Sequence, residues 1–307
     1  MDKRIAVIDL GTNTCNLLIA AYSCSGYHIV YQGKEGVKLG KGGIGKRMIT
    51  EEGLQRAIKA IYRHQKVIAR QDVSEVLIIA TSAVRDAGNK DWFQKQIKEH
   101  TGLELQIISG DKEAELIFKG VKLAIGMIED HTLILDIGGG SNEFILTEGG
   151  TAVWQESFPL GMARVVEQMP PSDPILESEI RQINHWFESQ LCNLWERVRG
   201  LRISTLIGCA GAFDTIADLI DQTDAGAKAR VRQEITLSDF NRIYQLLIAS
   251  TTAERMQMKG MEPIRVEMIV PAMLFIHLIV EKLNLQRIYQ TDFSLMEGVL
   301  YERISEL

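Results

Sequence analysis

The chain opens on short apolar runs separated by glycine-bearing turns. Ile5-Ala6-Val7-Ile8 ends in Asp9 and the turn Gly11-Thr12-Asn13-Thr14, the pattern of a strand that delivers an acid to its carboxyl end. Apolar residues resume over 16–21, which predicts a tight antiparallel hairpin rather than the strand-to-helix turn of a dinucleotide fold. Gly26 and residues 28–32 add a third strand, and the glycine- and lysine-rich stretch 36–47 reads as a connecting loop. Thr50 is a candidate N-cap for a helix carrying Leu54, Ile58, Ile61 and Ile68. A nearly all-apolar strand at 76–80, a helix over 90–99, a strand at 105–109 and a helix over 112–124 complete a first lobe of α/β type.

The pattern then restarts. A strand at 133–135 delivers Asp136, the turn Ile137-Gly138-Gly139-Gly140-Ser141-Asn142 follows, and another strand runs over 143–146. The repeated order of strand, acid, apolar residue, glycine, polar turn and strand predicts two similar lobes. Their expected spans are 1–126 and 127–307, with the final helix packing back on the first lobe. The second lobe is more helical, with helices at 177–198, 239–247, 270–283 and 295–304 and strands at 206–210 and 288–289. Residues 222–232 are polar and charged and read as a surface excursion.

Composition narrows the function classes. The 307 residues, 46% of them hydrophobic, suffice for two lobes with their own cores. A formal charge of -6 argues against long-range attraction to a nucleic acid polymer or an anionic membrane. An anionic substrate stays open, because a metal ion and a row of backbone N–H groups hold phosphate locally. No apolar run reaches transmembrane length, and Met1-Asp2-Lys3-Arg4 leads straight into a strand, so a cytoplasmic protein is expected. Cys15, Cys24, Cys192 and Cys209 lack metal-site spacing and are expected as buried thiols. No two histidines have ligand spacing, and His277 reads as a packing residue of an apolar helix.

The candidate chemistry lies at the strand ends. Asp9 and Asp136 can ligate a hard cation or orient a metal-bound water; the competing reading is a turn aspartate bonded to its own backbone. Gly11, Gly138, Gly139 and Gly140 let amides approach a phosphate oxygen, while Thr12, Asn13, Thr14 and Ser141 offer donors. Glu143 faces the same site as Asp136 if it opens the returning strand in that register, and the core if the register slips by one. Of Glu113 and Glu115, two apart in a helix, at most one addresses a water, and Glu113 is nearer the helix start; favourable helix-dipole placement is the alternative. Arg85 can fork onto phosphate or pair with Asp86 or Glu113. Gly208 and Gly211 permit close approach either of substrate or of helix to sheet.

Asp9-Leu10-Gly11-Thr12-Asn13, Ala80-Thr81-Ser82-Ala83-Val84-Arg85-Asp86, Ser109-Gly110-Asp111-Lys112-Glu113-Ala114 and Asp136-Ile137-Gly138-Gly139-Gly140-Ser141-Asn142-Glu143 together resemble the exopolyphosphatase/guanosine pentaphosphate phosphohydrolase (Ppx/GppA) family, in its short two-domain form. The resemblance implies an actin-like ATPase (ribonuclease H-like) fold with an active-site cleft between two lobes. It implies hydrolysis of a terminal phosphoanhydride of polyphosphate, with guanosine pentaphosphate or another nucleoside polyphosphate as the alternative substrate and noncatalytic phosphate binding as the alternative role. The implied cofactor is magnesium, with manganese as the alternative ion, and the implied assembly is a homodimer. In this resemblance Asp9, Asp136 and Glu143 serve the metal and phosphate site, Glu113 activates water and Arg85 contacts phosphate. Gly208 and Gly211 take part in phosphate binding. Ala212, Ala272, Phe293 and Met296 stand where the family pattern has other residues.

Overall fold

The repeated unit of strand, acid and glycine forms an antiparallel hairpin twice in the computed structural model, which describes residues 3–126, 128 and 131–307. Met1, Asp2 and residue 127, at the expected lobe junction, lie outside the described residues. The chain divides into a first unit of Met1–Leu123 and Ser294–Leu307 and a second of Ala124–Phe293.

The first unit begins with β1 (Lys3–Leu10), β2 (Thr14–Ser23) and β3 (Gly26–Gly36), an antiparallel meander. A 3-10 turn at Ile44–Lys46, α1 (Glu51–Ile68), β4 (Glu75–Ala80), α2 (Ser82–Arg85), α3 (Lys90–Thr101), β5 (Leu105–Ile107) and α4 (Gly110–Ile125) follow. The sheet order is β3-β2-β1-β4-β5, with β4 parallel to both neighbours. Thr50 caps α1 as its sequence predicts, accepting from the Gly53 N–H at 3.1 Å, which satisfies one of the donors orphaned at a helix start. Stretch 36–47 is more than a connector, since Val37, Leu39 and Ile44 are buried.

The second unit repeats this plan with β6 (Thr132–Ile137), β7 (Asn142–Glu148) and β8 (Thr151–Phe158), then α5 (Met162–Gln168), α6 (Glu177–Gln190), α7 (Cys192–Val198), β9 (Thr205–Cys209), α8 (Gly211–Asp221), β10 (Gln233–Ile235), α9 (Leu237–Ala249), α10 (Thr252–Gln257), α11 (Ile269–Leu283) and β11 (Arg287–Thr291). Its sheet order is β10-β11-β9-β6-β7-β8. The last helix, α12 (Leu295–Ser305), belongs to the first unit. In each unit a three-stranded meander is extended by two parallel strands on the side of its first strand, which is the actin-like, ribonuclease H-like arrangement. Every residue of β6 is buried, as expected of a central strand covered on both faces. α11 is apolar around most of its circumference and sits in the second unit's core beside Phe144 and Phe187, whose rings meet Phe275 at 5.9 and 4.8 Å.

Two expectations change. The helix expected over 177–198 is broken at Leu191 into α6 and α7. The stretch 222–232 lies at the surface as expected, with most of its residues exposed, and is anchored by Arg230, which is 4% exposed and whose guanidinium pairs with Asp218 at 2.7 Å and Asp221 at 3.0 Å. Paired carboxylates offset the cost of burying that charge. Of the four thiols expected to be buried, Cys15 and Cys209 are, whereas Cys24 and Cys192 are exposed. No helix among the described residues is long and apolar enough to cross a membrane.

Candidate active site

The carboxyl ends of the parallel strands carry the candidate residues of each unit, where side chains project beyond the sheet. In the first unit Asp9 stands across the β1–β2 ladder from Asn16, whose Nδ2 donates to Asp9 Oδ2 at 3.1 Å. The turn between them is closed by the Gly11 N–H donating to Thr14 O at 2.9 Å. A Cβ on Gly11 would lie 3.3 Å from that same oxygen, so the glycine serves the tightness of the turn. Residues 37–40 hold the turn from behind: Val37 and Lys38 N–H donate to Asn13 O at 2.8 and 3.0 Å, and Gly40 N–H donates to Thr12 O at 3.2 Å. Thr12 is buried, whereas Asn13 and Thr14 are partly exposed.

Arg85 and Glu113 come from different strand ends of this unit and meet. Arg85 closes α2, just after β4, and Glu113 lies in the first turn of α4, just after β5. Arg85 Nη1 donates to Glu113 Oε2 at 2.5 Å, the short distance of a charge-assisted bond. The Arg85 Nε stands 3.7 Å from Asp86 Oδ1. Glu113 is 7% exposed. Glu115 points elsewhere, pairing with Lys112 at 3.2 Å and with Lys119, both of which also bind Glu302. The two-residue spacing in a helix thus separates the carboxylates as expected.

In the second unit Asp136 stands across from Glu143 on the β6–β7 ladder, the register that places the two on the same face. Both are buried, Glu143 at 1% exposure. Glu143 Oε1 accepts from Ser141 Oγ at 2.7 Å and from Ser157 Oγ at 2.6 Å. Ser157 escaped the sequence reading because β8 went unassigned. Continuing the meander by one strand would have found it, since Ser157 is Glu143's register partner. The triglycine turn is closed as in the first unit, by the Gly138 N–H donating to Ser141 O at 3.0 Å.

At the third strand end the space beside both glycines is filled by the protein's own side chains. A Cβ on Gly208 would fall 2.1 Å from the Phe213 ring, and one on Gly211 would fall 1.5 Å from the Arg265 guanidinium. Gly208 therefore serves helix-to-sheet packing, and Gly211 makes room for Arg265, which pairs with Glu262 at 3.0 Å. Between them Ala210 has φ 62° and ψ 173°, a conformation that costs a residue with a Cβ about 1–3 kcal/mol. Beside this end, Gln290 Nε2 donates to Asp214 Oδ1 at 2.9 Å and to Asp292 Oδ1 at 2.6 Å. Burial, with the Asp214 carboxylate adding to it, pushes Asp292 up to about 6. The sequence reading missed this pair, which only the alignment of β9 with β11 brings together.

A hard divalent cation suits the donors present. Asp9 offers carboxylate oxygen, and the adjacent Asn16 Oδ1 is a buried acceptor that receives no hydrogen bond; Asp136 and Glu143 are again oxygen donors. Such ligands favour magnesium or manganese over softer metals. Among the described residues, no group of three or more His, Cys, Asp or Glu side chains stands close enough to hold an ion by itself. Magnesium, which usually keeps several waters, does not require such a cage.

The sequence profile of the Ppx/GppA phosphatase family matches residues 18–307. This chain belongs to the Ppx/GppA phosphatase family. The matched span includes Arg85, Glu113, Asp136 and Glu143, and starts after the Asp9 turn. The family is associated with magnesium-dependent catalysis. The crystal structure of an exopolyphosphatase from Cytophaga hutchinsonii superimposes with a TM-score of 0.94 at 36% identity, covering 99% of both chains. A Ppx/GppA enzyme from Aquifex aeolicus shares the fold, with a TM-score of 0.81 at 22% identity over 98% of this chain and 100% of its own. Exopolyphosphatase 1 of Mycobacterium tuberculosis is 25% identical over 98% of this chain and 88% of its own length. A bifunctional 3-dehydroquinate synthase/phosphatase of Fusobacterium nucleatum is 29% identical over 97% of this chain, which spans only 46% of that protein.

Proposed function

We propose that this Ppx/GppA member hydrolyses the terminal phosphoanhydride of inorganic polyphosphate, releasing orthophosphate. The observation that carries the reading is the Arg85–Glu113 pair, a buried carboxylate held at 2.5 Å by a guanidinium at the strand ends of the first unit. A hydrolase of this kind needs a proton acceptor for water and a cation for the phosphoryl oxygens, and this pair has both.

In the proposed mechanism the terminal phosphate draws the Arg85 guanidinium to itself, since its five donors allow sharing. The released Glu113 carboxylate then accepts a proton from water as the water oxygen forms a bond to the terminal phosphorus. The bond from phosphorus to the bridging oxygen breaks, and that oxygen keeps the electron pair on the shortened chain. In the first unit the amide N–H groups of the Gly11 turn and the Thr12, Asn13 and Thr14 side chains, and in the second the amide N–H groups of Gly139, Gly140 and Ser141, are donors suited to phosphate oxygens. In the first unit Asp9 and Asn16, and in the second Asp136 and Glu143, are the oxygen ligands that would suit magnesium, which would supply charge neutralisation to the phosphates when bound. Ser141 and Ser157 keep the Glu143 carboxylate in one orientation.

The experiment is orthophosphate release, with magnesium, from tripolyphosphate, long-chain polyphosphate, guanosine pentaphosphate and ATP at matched concentrations. Release from the inorganic chains is expected. Release confined to the nucleotides would replace the substrate, and no release from any of the four by folded protein would overturn the hydrolase reading.

A further inference from the structure

We infer that Gly161 and Arg164 are positioning residues for the phosphoryl group: they fix the triglycine turn with its carbonyls facing the start of α5 and its amides facing the opposite way. The inference rests on the hydrolase reading for the identity of the anion, but its structural basis is independent of turnover.

All three glycine carbonyls are taken, in order, by three consecutive residues. Met162 N–H donates to Gly138 O at 3.0 Å, and Ala163 N–H donates to Gly139 O at 2.9 Å. Arg164 Nε donates to Gly140 O at 2.7 Å. The side chain is required at the third position because the Arg164 N–H is already spent within the turn, on Gly161 O at 2.9 Å. A trans peptide group carries its N–H opposite its C=O. Carbonyls of Gly138, Gly139 and Gly140 turned toward α5 therefore turn the N–H groups of Gly139, Gly140 and Ser141 away from it. Successive amides facing one side form an anion-binding concavity. Without the clamp, three glycines in a row would sample many backbone states, few of them with this alignment.

Gly161 lets the two segments come this close. Its own φ is -62°, so any residue could adopt its backbone conformation. The constraint is space: a Cβ there would lie 2.3 Å from Gly139 C and from Gly140 N and C. These are backbone atoms, so an added methyl forces the turn and α5 apart. The first unit holds its own turn with main-chain donors from residues 37–40, so a side-chain substitution can loosen the turn of the second unit alone.

The test uses the full chain and two substitutions with different side effects. Arg164→Met removes the third donor and one positive charge, and Gly161→Ala moves the clamp with no change of charge. Calorimetric affinity for tripolyphosphate, KM and kcat for its hydrolysis, and amide hydrogen exchange at Gly139, Gly140 and Ser141 are measured for each. Loss of one charge-assisted hydrogen bond predicts about a tenfold loss of affinity and rise of KM, a smaller change in kcat, and faster exchange at those three amides in both variants. Arg164→Lys, which keeps a donor but not the planar fork, recovers part of the affinity. Weakened binding in Arg164→Met alone, with Gly161→Ala unchanged, would show an effect of charge and overturn the clamp. Unchanged exchange and KM in both variants would overturn it as well. Wild-type protein that binds tripolyphosphate without hydrolysing it would sink the hydrolase reading, and weaker binding and faster exchange in both variants would still support the clamp.

Discussion

Two turns of the same topology are held by different means in the two units. In the first, the carbonyls of Thr12 and Asn13 are met by main-chain N–H groups of residues 37–40. In the second, α5 gives two main-chain donors and Arg164 gives the third. The residues facing the two aspartates also differ. Asn16 donates to Asp9, whereas Glu143 stands across from Asp136 and accepts from two serines. The fold thus repeats a geometry while each unit builds it from its own sequence. The chemistry is not repeated, since a carboxylate of the second unit takes the place of a neutral amide in the first.

The sharpest way to break this comparison is to neutralise the two aspartates one at a time. Asp9→Asn and Asp136→Asn are each expected to lower magnesium-dependent phosphate release about 100-fold, a barrier increase of about 3 kcal/mol, measured as kcat under saturating substrate. Full activity in Asp9→Asn would show that the first turn is structural only. Next in size is Ser157→Ala, which leaves Glu143 with one hydroxyl donor. A fall of about tenfold in kcat is expected, in the range found for groups that orient a ligand or catalytic residue. Ser157→Thr, which restores the hydroxyl, should recover most of it, and equal loss in both variants would assign the serine to packing.

The smallest effect concerns the carboxylates beside β11. Asp292 is raised to about 6, first by burial and then by the Asp214 carboxylate, against the Arg230 N–H, the Gln290 amide and the Arg230 charge that favour its ionised form. The folded state then keeps a proton between pH 4 and 6 that the unfolded chain has released. Unfolding releases that proton, so the contribution of this group to stability falls as pH rises through that window and is level above it. Asp292→Asn should flatten this part of the profile of urea midpoint against pH, relative to the wild type. Parallel profiles would show that Asp292 is ionised throughout.

The readable parts of the sequence were those with strong local signals. The Asp9 and Asp136 strand ends show apolar runs cut by acid and glycine, and Thr50 shows a cap before a periodic helix. Glu113 could be separated from Glu115 by helical geometry alone. What stayed hidden depends on contacts distant along the chain. Arg230 looks like a solvated charge in a polar stretch until Asp218 and Asp221 close on it. Gly208 and Gly211 leave approach of substrate and of helix to sheet equally open in the sequence, and only the folded chain shows Phe213 and Arg265 in the space beside them. Ser157 and Arg164 carry no local mark of their roles, because each acts on a residue 14 or 24 positions away. β8 was passed over because its burial is intermediate or low along nearly its whole length, as on the edge of a sheet, where alternation is weak.

Glu113 is the proposed acceptor of the water proton, and Glu113→Gln, with phosphate release and tripolyphosphate affinity determined on the same preparation, tests that role. The prediction is a fall in kcat of about 10²–10⁴-fold with affinity changed by no more than about threefold, since the substituted amide oxygen can still accept from Arg85. Turnover equal to that of the wild type would contradict this role, because the buried partner of Arg85 would then have no part in activating water.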